Sequence, residues 1–237
     1  MKILMLAGNT LRSNFYSQYL NANSYRVEGL FYGFHEKKYK SPQLNYETKN
    51  FFIENDLMIP NLEKTILEVF DNNKWDYQHI KENDVNSFNV INQIKSAAPD
   101  LVIFSGYGGQ ILNKEHFELN IPYLHNHPGD IPSERGSTTI YYSILNRKAC
   151  TVTAFFMNER IDAGNIIIKD HYVAPTRNVN IDQFYDNIIR SSCLINALNA
   201  ITNKEAVTPF PPKDSSLEYY VVHPILKNIS VLSLKLS

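Results

Sequence analysis

The stretch Leu101-Val102-Ile103-Phe104-Ser105-Gly106-Tyr107-Gly108-Gly109-Gln110-Ile111-Leu112 joins an unbroken apolar run to a loop with three glycines in four residues. A continuous apolar run is what a parallel strand buried on both faces shows. Glycines just beyond it let the backbone approach a flat ligand and expose its own N–H and C=O groups. Upstream, Ser87 can cap a helix in which Phe88, Ile91 and Ile94 recur at helical spacing, and Pro99 ends it. Helix, strand, glycine loop is the rhythm of an α/β chain.

That rhythm recurs in both directions. Residues 2–7 read as a buried strand, and Gly8-Asn9-Thr10 turns it into a helix over 12–20, whose start beside Arg12 and Ser13 could hold an anion. Residues 25–32 and 77–80 read as strands, with a helix over 61–70 capped by Asn61. Beyond residue 137 the pattern predicts a helix over 138–146 and strands over 151–156 and 165–169. Asn180 with Gln183 then resembles a capping box before a helix reaching about Ala200. The expected fold is α/β: a mainly parallel sheet flanked by helices, a Rossmann-like core over 1–205. Thr208-Pro209-Phe210-Pro211-Pro212 opens a short C-terminal extension, 206–237, which could add a strand or helix or pack on a second subunit in a homodimer. Ligands of such sheets bind beyond the carboxyl ends of the strands, where the Gly8 turn and the Gly106 loop both fall.

The 237 residues carry a net charge of −1, which supplies no general field for nucleic acid. No run approaches the roughly 20 apolar residues of a membrane span, and the apolar start is too short for a signal peptide. The two cysteines, Cys150 and Cys193, sit in apolar surroundings without metal-ligand spacing and read as reduced core thiols. The expectation is a cytoplasmic protein without membrane or nucleic-acid partners. Lys37, Lys38 and Lys40 form a basic loop that reads as solvated or, more sharply, as a contact for a diphosphate.

One segment is too polar and too stiff for a core: His125-Asn126-His127-Pro128-Gly129-Asp130-Ile131-Pro132-Ser133-Glu134-Arg135-Gly136. It resembles the hallmark loop of the folate-dependent formyltransferases, Asn-x-His-x-Ser/Gly, then a Pro and an Arg-Gly, with an Asp-x-Gly about one βαβ unit later. In that register His127, Pro132, Arg135-Gly136 and Asp162 match. The family asparagine, two residues before its histidine, falls on His125, with Asn126 its neighbour. In extended backbone His125 and His127 would share a face and Asn126 would point oppositely, unless the loop bends earlier and Asn126 swings into the amide's role.

The resemblance implies 10-formyltetrahydrofolate as formyl donor, with His127 and Asp162 catalytic and His125 or Asn126 as oxyanion donor. It implies that Gly106, Tyr107, Gly109, Gln110, Ile111, Leu112 and Ile161 line the folate site. It further implies that Gly8, Asn9, Thr10, Arg12, Ser13 and Arg135 meet the acceptor substrate. Formyl transfer needs hydrogen-bond donors for a tetrahedral oxyanion and one group to move a proton near neutral pH, tasks that suit amide or imidazole and histidine respectively. It needs no metal, and none is expected. His-Pro-Gly, Asp84-Val85-Asn86-Ser87 and the long middle of the chain look most like the sugar N-formyltransferases. Those act on amino sugars carried by a dTDP- or GDP-type nucleotide in bacterial surface-polysaccharide (O-antigen, lipopolysaccharide) synthesis. The alternatives are a glycinamide ribonucleotide-type formyltransferase and a formyltransferase-like binding module with impaired turnover.

Overall fold

The computed structural model describes residues 1–33, 43–210 and 217–236, the basic loop with Lys37, Lys38 and Lys40 lying outside them. In chain order the first elements are β1 (Ile3–Ala7), α1 (Leu11–Ala22), β2 (Glu28–Tyr32), α2 (Tyr46–Glu54), α3 (Ile66–Asn73), β3 (Tyr77–Ile80), α4 (Phe88–Ala97) and β4 (Leu101–Ser105). The single turn α5 (Lys114–Phe117) leads to β5 (Tyr123–His127), β6 (Glu134–Gly136), α6 (Thr139–Arg147), β7 (Ala149–Phe156) and β8 (Ile166–Val173). A π-helical turn (Ile181–Tyr185) runs into α7 (Asp186–Thr202), followed by β9 (Leu217–Tyr219) and α8 (Pro224–Leu232).

The chain divides into two compact units, 1–42 with 60–125, and 43–59 with 126–237. Residues 206–237, expected as an extension of a 1–205 core, fall within the second unit. In the first unit the strands lie in the order β3-β2-β1-β4-β5, every neighbouring pair parallel. The fold class expected from the alternating pattern, a mainly parallel sheet flanked by helices, is the one observed. β1 and β4 are buried along their whole length, which explains their lack of polar alternation. In the second unit β7 and β8 are antiparallel, with a register shift between Ala154 and Phe155, and β6 pairs in parallel with β9.

Local chemistry sets several helix starts. Ser87 caps α4, and Thr10 caps α1 by accepting from the Ser13 N–H at 3.1 Å. Asn180 accepts from the Gln183 N–H, but the element it opens starts as a π-helical turn. The helix expected from Asn61 begins five residues later at Ile66. Its cap is Thr65 in a full capping box with Glu68, while Asn61 closes a local turn onto the Glu63 N–H. α2 has no counterpart in the sequence reading: only Thr48, Phe51 and Phe52 are buried in it, too few for a clear period.

Candidate functional site

β5 stays extended through His127, so side chains alternate to the end of the strand. Asn126, 1% exposed, turns its amide the other way from its histidine neighbours and donates to the Arg190 carbonyl of α7 at 3.2 Å. His125 is half-buried, its ring 5.9 Å from that of Phe104.

After His127 the chain folds tightly on itself. Gly129 N–H donates to the His127 carbonyl at 2.9 Å, and the Ile131–Pro132 peptide is cis. Thr139 donates to the Pro128 carbonyl at 2.8 Å, and Thr153 to the Gly129 carbonyl at 2.7 Å while accepting from the Ile131 N–H. Glycine at 129 is a packing requirement: a Cβ there would sit 2.6 Å from His127 Nε2. Glu134, 4% exposed, braces the loop from inside. Its Oε2 accepts from the Asp130 N–H at 3.0 Å, from Ser143 at 2.5 Å and from Arg147 at 2.8 Å. Asp130 in turn pairs with Lys169 at 2.7 Å.

These contacts fix the His127 ring. Nε2 lies 2.7 Å from the Glu134 carbonyl oxygen, an acceptor only, so Nε2 carries hydrogen. Thr139 Oγ1, 3.2 Å away, has committed its own proton to Pro128 and is a second acceptor for the same N–H. Nδ1 therefore faces Asp162, 3.3 Å from Oδ2, with the imidazole 3% and the carboxyl 13% exposed. Two lone pairs at that distance repel, and a proton between them makes the contact attractive. Asp162 Oδ2 also accepts from the Gly136 N–H at 2.9 Å. The hallmark loop and the distal Asp-x-Gly, 35 residues apart in sequence by His127 and Asp162 numbering, thus meet as an imidazole and a carboxyl group 3.3 Å apart.

Arg135 is buried. Its Nε and Nη2 donate to the Ile161 carbonyl at 2.9 and 2.8 Å, and Nη2 reaches Glu218 at 2.6 Å. Its guanidinium binds the chain's own turn at Ile161. The Ile161 side chain is exposed.

In the first unit the two glycine-bearing turns converge. Gly8 N–H donates to the Ser105 carbonyl at 3.1 Å, and Asn9 N–H to the Tyr107 hydroxyl at 3.0 Å. Arg12 donates to the Gly106 carbonyl. Ser13 is fully buried and gives its hydroxyl to Ser105, so it stitches the turn to β4. Tyr107 donates to the Gly33 carbonyl at 2.8 Å, and Tyr32 to Gln110 at 2.5 Å. Burial pushes the Tyr32 phenol up to about 12, so it remains a donor at neutral pH. Of the expected apolar wall, Leu112 is buried and Ile111 is 58% exposed. The Gly106 loop follows a parallel strand at its carboxyl end, as ligand-binding loops of such sheets do.

Sequence reasoning missed Thr139 and the backbone partners of the pair. Among the described residues no group of three or more His, Cys, Asp and Glu side chains could hold a metal ion, and no helix is long and apolar enough to cross a membrane.

No model of a known protein family matches the chain. It is 31% identical over 141 residues to a methionyl-tRNA formyltransferase of Methylacidiphilum infernorum, a match spanning 58% of this chain and 43% of that protein. The chain's matches span less than half the length of these curated relatives. Its fold is shared with phosphoribosylglycinamide formyltransferase from Bacillus halodurans (TM-score 0.58, 16% identity, 86% of this chain and 96% of that one). It is shared too with a sugar N-formyltransferase from a Shewanella species (TM-score 0.58, 14% identity, 98% and 87%). HypX from Aquifex aeolicus, in complex with tetrahydrofolic acid, matches 95% of this chain with 30% of its own (TM-score 0.57, 16% identity). The chain is similar to methionyl-tRNA formyltransferases in sequence and shares the fold of solved formyltransferases. Those proteins are named for different acceptors: methionyl-tRNA, phosphoribosylglycinamide and a sugar.

Proposed function

We propose that this chain transfers a formyl group from 10-formyltetrahydrofolate to the amine of a nucleotide-linked amino sugar, of dTDP or GDP type. The observation that carries the formyl-transfer part of the reading is the His127–Asp162 pair, with Nε2–H committed to the Glu134 carbonyl and Nδ1 3.3 Å from the carboxylate. The amino-sugar acceptor is supported only by the likeness of His127-Pro128-Gly129 to the sugar N-formyltransferases and by the fold shared with one of them. The acceptor amine attacks the formyl carbon, its lone pair forming the new C–N bond while the carbonyl pair moves to oxygen. The attacking nitrogen's proton passes to the pair, which has a place for one between Nδ1 and Oδ2. Collapse of the oxyanion breaks the bond to folate N10, and the proton returns to that departing amine. Imidazole and carboxylate acting together supply this proton traffic near neutral pH. His125 is assigned the oxyanion donor in place of the family's amide. Gly106, Tyr107, Gly109 and Gln110 are assigned to the folate, and Gly8, Asn9, Thr10 and Arg12 to the acceptor.

Sequence likeness to methionyl-tRNA formyltransferases supports a second acceptor class, and the shared fold of a glycinamide ribonucleotide enzyme a third. One experiment separates them. The full chain is incubated with 10-formyltetrahydrofolate and, in parallel, with dTDP- and GDP-linked amino sugars, glycinamide ribonucleotide and methionyl-tRNA, and the formamide is read by mass spectrometry. Product on an amino sugar alone supports the reading. Product on another acceptor replaces it, and folate binding without product on any marks a binding module.

A further inference from the structure

Asp162 stands at φ +47°, in the left-handed region, where a residue other than glycine persists only if its surroundings over-determine it. Two restraints do so, and both come from β6. Arg135 grips the carbonyl of Ile161, the peptide immediately before Asp162, with two N–H groups, and the Gly136 N–H holds the carboxylate itself. β6 is three residues long, and the strand paired with it is β9, from the far end of the chain. The register sets Arg135 against Glu218 and Gly136 against Tyr219. Ser137 N–H donates to the Tyr219 carbonyl at 2.7 Å, Val222 N–H to Thr138 Oγ1 at 2.8 Å, and the Tyr142 and Tyr219 rings lie 4.4 Å apart. Glu218 closes the series with its 2.6 Å pair to Arg135.

We infer that β9 is a working part of the site, Glu218 being a positioning residue that acts through Arg135 and the Ile161 carbonyl to set Asp162 against His127. This rests on the role given to that pair above. The Glu218 side chain is 52% exposed while that of Arg135 is 7% exposed, so the carboxylate partners a guanidinium held out of water. Glu218 therefore bears on stability as well as on geometry, and the state of the His127 ring reports the geometry separately. A carboxylate at 218 draws the guanidinium into one orientation, and the guanidinium draws the 161–162 peptide with it.

The test compares the full-length wild type with Glu218→Ala and Glu218→Gln, reading ring-nitrogen NMR of His127, formyl-transfer kinetics and melting temperature. Glu218→Ala is expected to shift the Nδ1 resonance and lower kcat about tenfold at unchanged KM, as a small misplacement of a reacting group does. Glu218→Gln, which keeps an oxygen acceptor for Arg135, is expected to stay near wild type in kcat and in the Nδ1 resonance, and Glu218→Ala to melt lower, because it leaves the buried guanidinium without its carboxylate. Wild-type His127 resonances in Glu218→Ala would overturn the proposal, as would equal losses in both variants. If the wild type formylates no acceptor, the functional reading fails by itself, and the His127 resonances still report whether Glu218 sets the pair.

Discussion

The Nε2–H of His127 is spent on the Glu134 carbonyl at 2.7 Å, and this single backbone contact determines which ring nitrogen meets Asp162. Asp162→Asn tests the consequence. An amide can still accept from the Gly136 N–H, so the turn survives, but it cannot share a proton with Nδ1. The expected outcome is a fall in kcat of about 10²- to 10⁴-fold, the range for loss of a general acid–base partner, with folate affinity retained by equilibrium titration. A near-normal kcat would remove Asp162 from the proton path.

Thr139→Val removes a fully buried hydroxyl that accepts from His127 Nε2 and donates to the Pro128 carbonyl. The Glu134 carbonyl still fixes the tautomer, but the Pro128 carbonyl loses its donor. Pro128 is only half-buried, so urea unfolding should show a loss of about 1 kcal/mol, the lower end for an unmet carbonyl, while the His127 ring keeps hydrogen on Nε2. A hydrogen found on Nδ1 instead would mean that Thr139, not Glu134, sets the tautomer.

What could be read from sequence follows the kind of signal each feature leaves. The parallel strands announced themselves because burial on both faces forces unbroken apolar runs such as Leu101–Ser105. The cap of α3 was also legible, since Thr65-Ile66-Leu67-Glu68 is a capping-box pattern, although Asn61 was the more conspicuous cap residue. The meeting of His127 with Asp162 followed from a motif register. The groups that hold the pair left no such trace. The Glu134 carbonyl, the Gly136 N–H and the Ile161 carbonyl are backbone atoms, identical at every position. The β6–β9 pairing joins segments more than 80 residues apart, and strands of three residues carry too little pattern to be read alone.

Gly136→Ala probes that pairing. Gly136 sits at φ +100°, and a Cβ there would fall on the backbone of Tyr219. Ala can neither adopt that backbone cheaply nor leave room for β9. Strain and lost pairing together should cost about 2 kcal/mol. Hydrogen exchange at the Ser137 amide should accelerate, because its acceptor is the Tyr219 carbonyl. Unchanged protection at Ser137 would show that β9 tolerates the side chain.

The cysteines give a pH dependence with a definite sign. Burial pushes the Cys150 thiol up to about 12 and raises Cys193 well above its usual range. In the unfolded chain both ionise near 8.5. Because the folded values are raised, this contribution is fully present below the unfolded value and drains away as pH climbs toward the folded one. Stability should therefore decline above about pH 8.5, by up to about 1.4 kcal/mol per thiol per pH unit. Replacing both cysteines with alanine should flatten that decline in urea titrations at pH 8, 9 and 10. A slope unchanged by the double replacement would assign the decline to other groups.

The last test concerns which side chain donates to the oxyanion. Asn126 has the amide that formyltransferase likeness calls for, but it is 1% exposed and donates to the Arg190 carbonyl. Recruiting it would require breaking that bond and reversing the alternation of β5. His125 needs no such change, and an imidazole N–H can stand in for an amide N–H. His125→Asn should therefore keep formyl transfer within about tenfold of wild type, since one good donor replaces another. His125→Ala, with no donor, should lose about 10²- to 10³-fold in kcat. An active His125→Ala beside an inactive His125→Asn would assign the role to Asn126 and mean that β5 bends at its end during turnover.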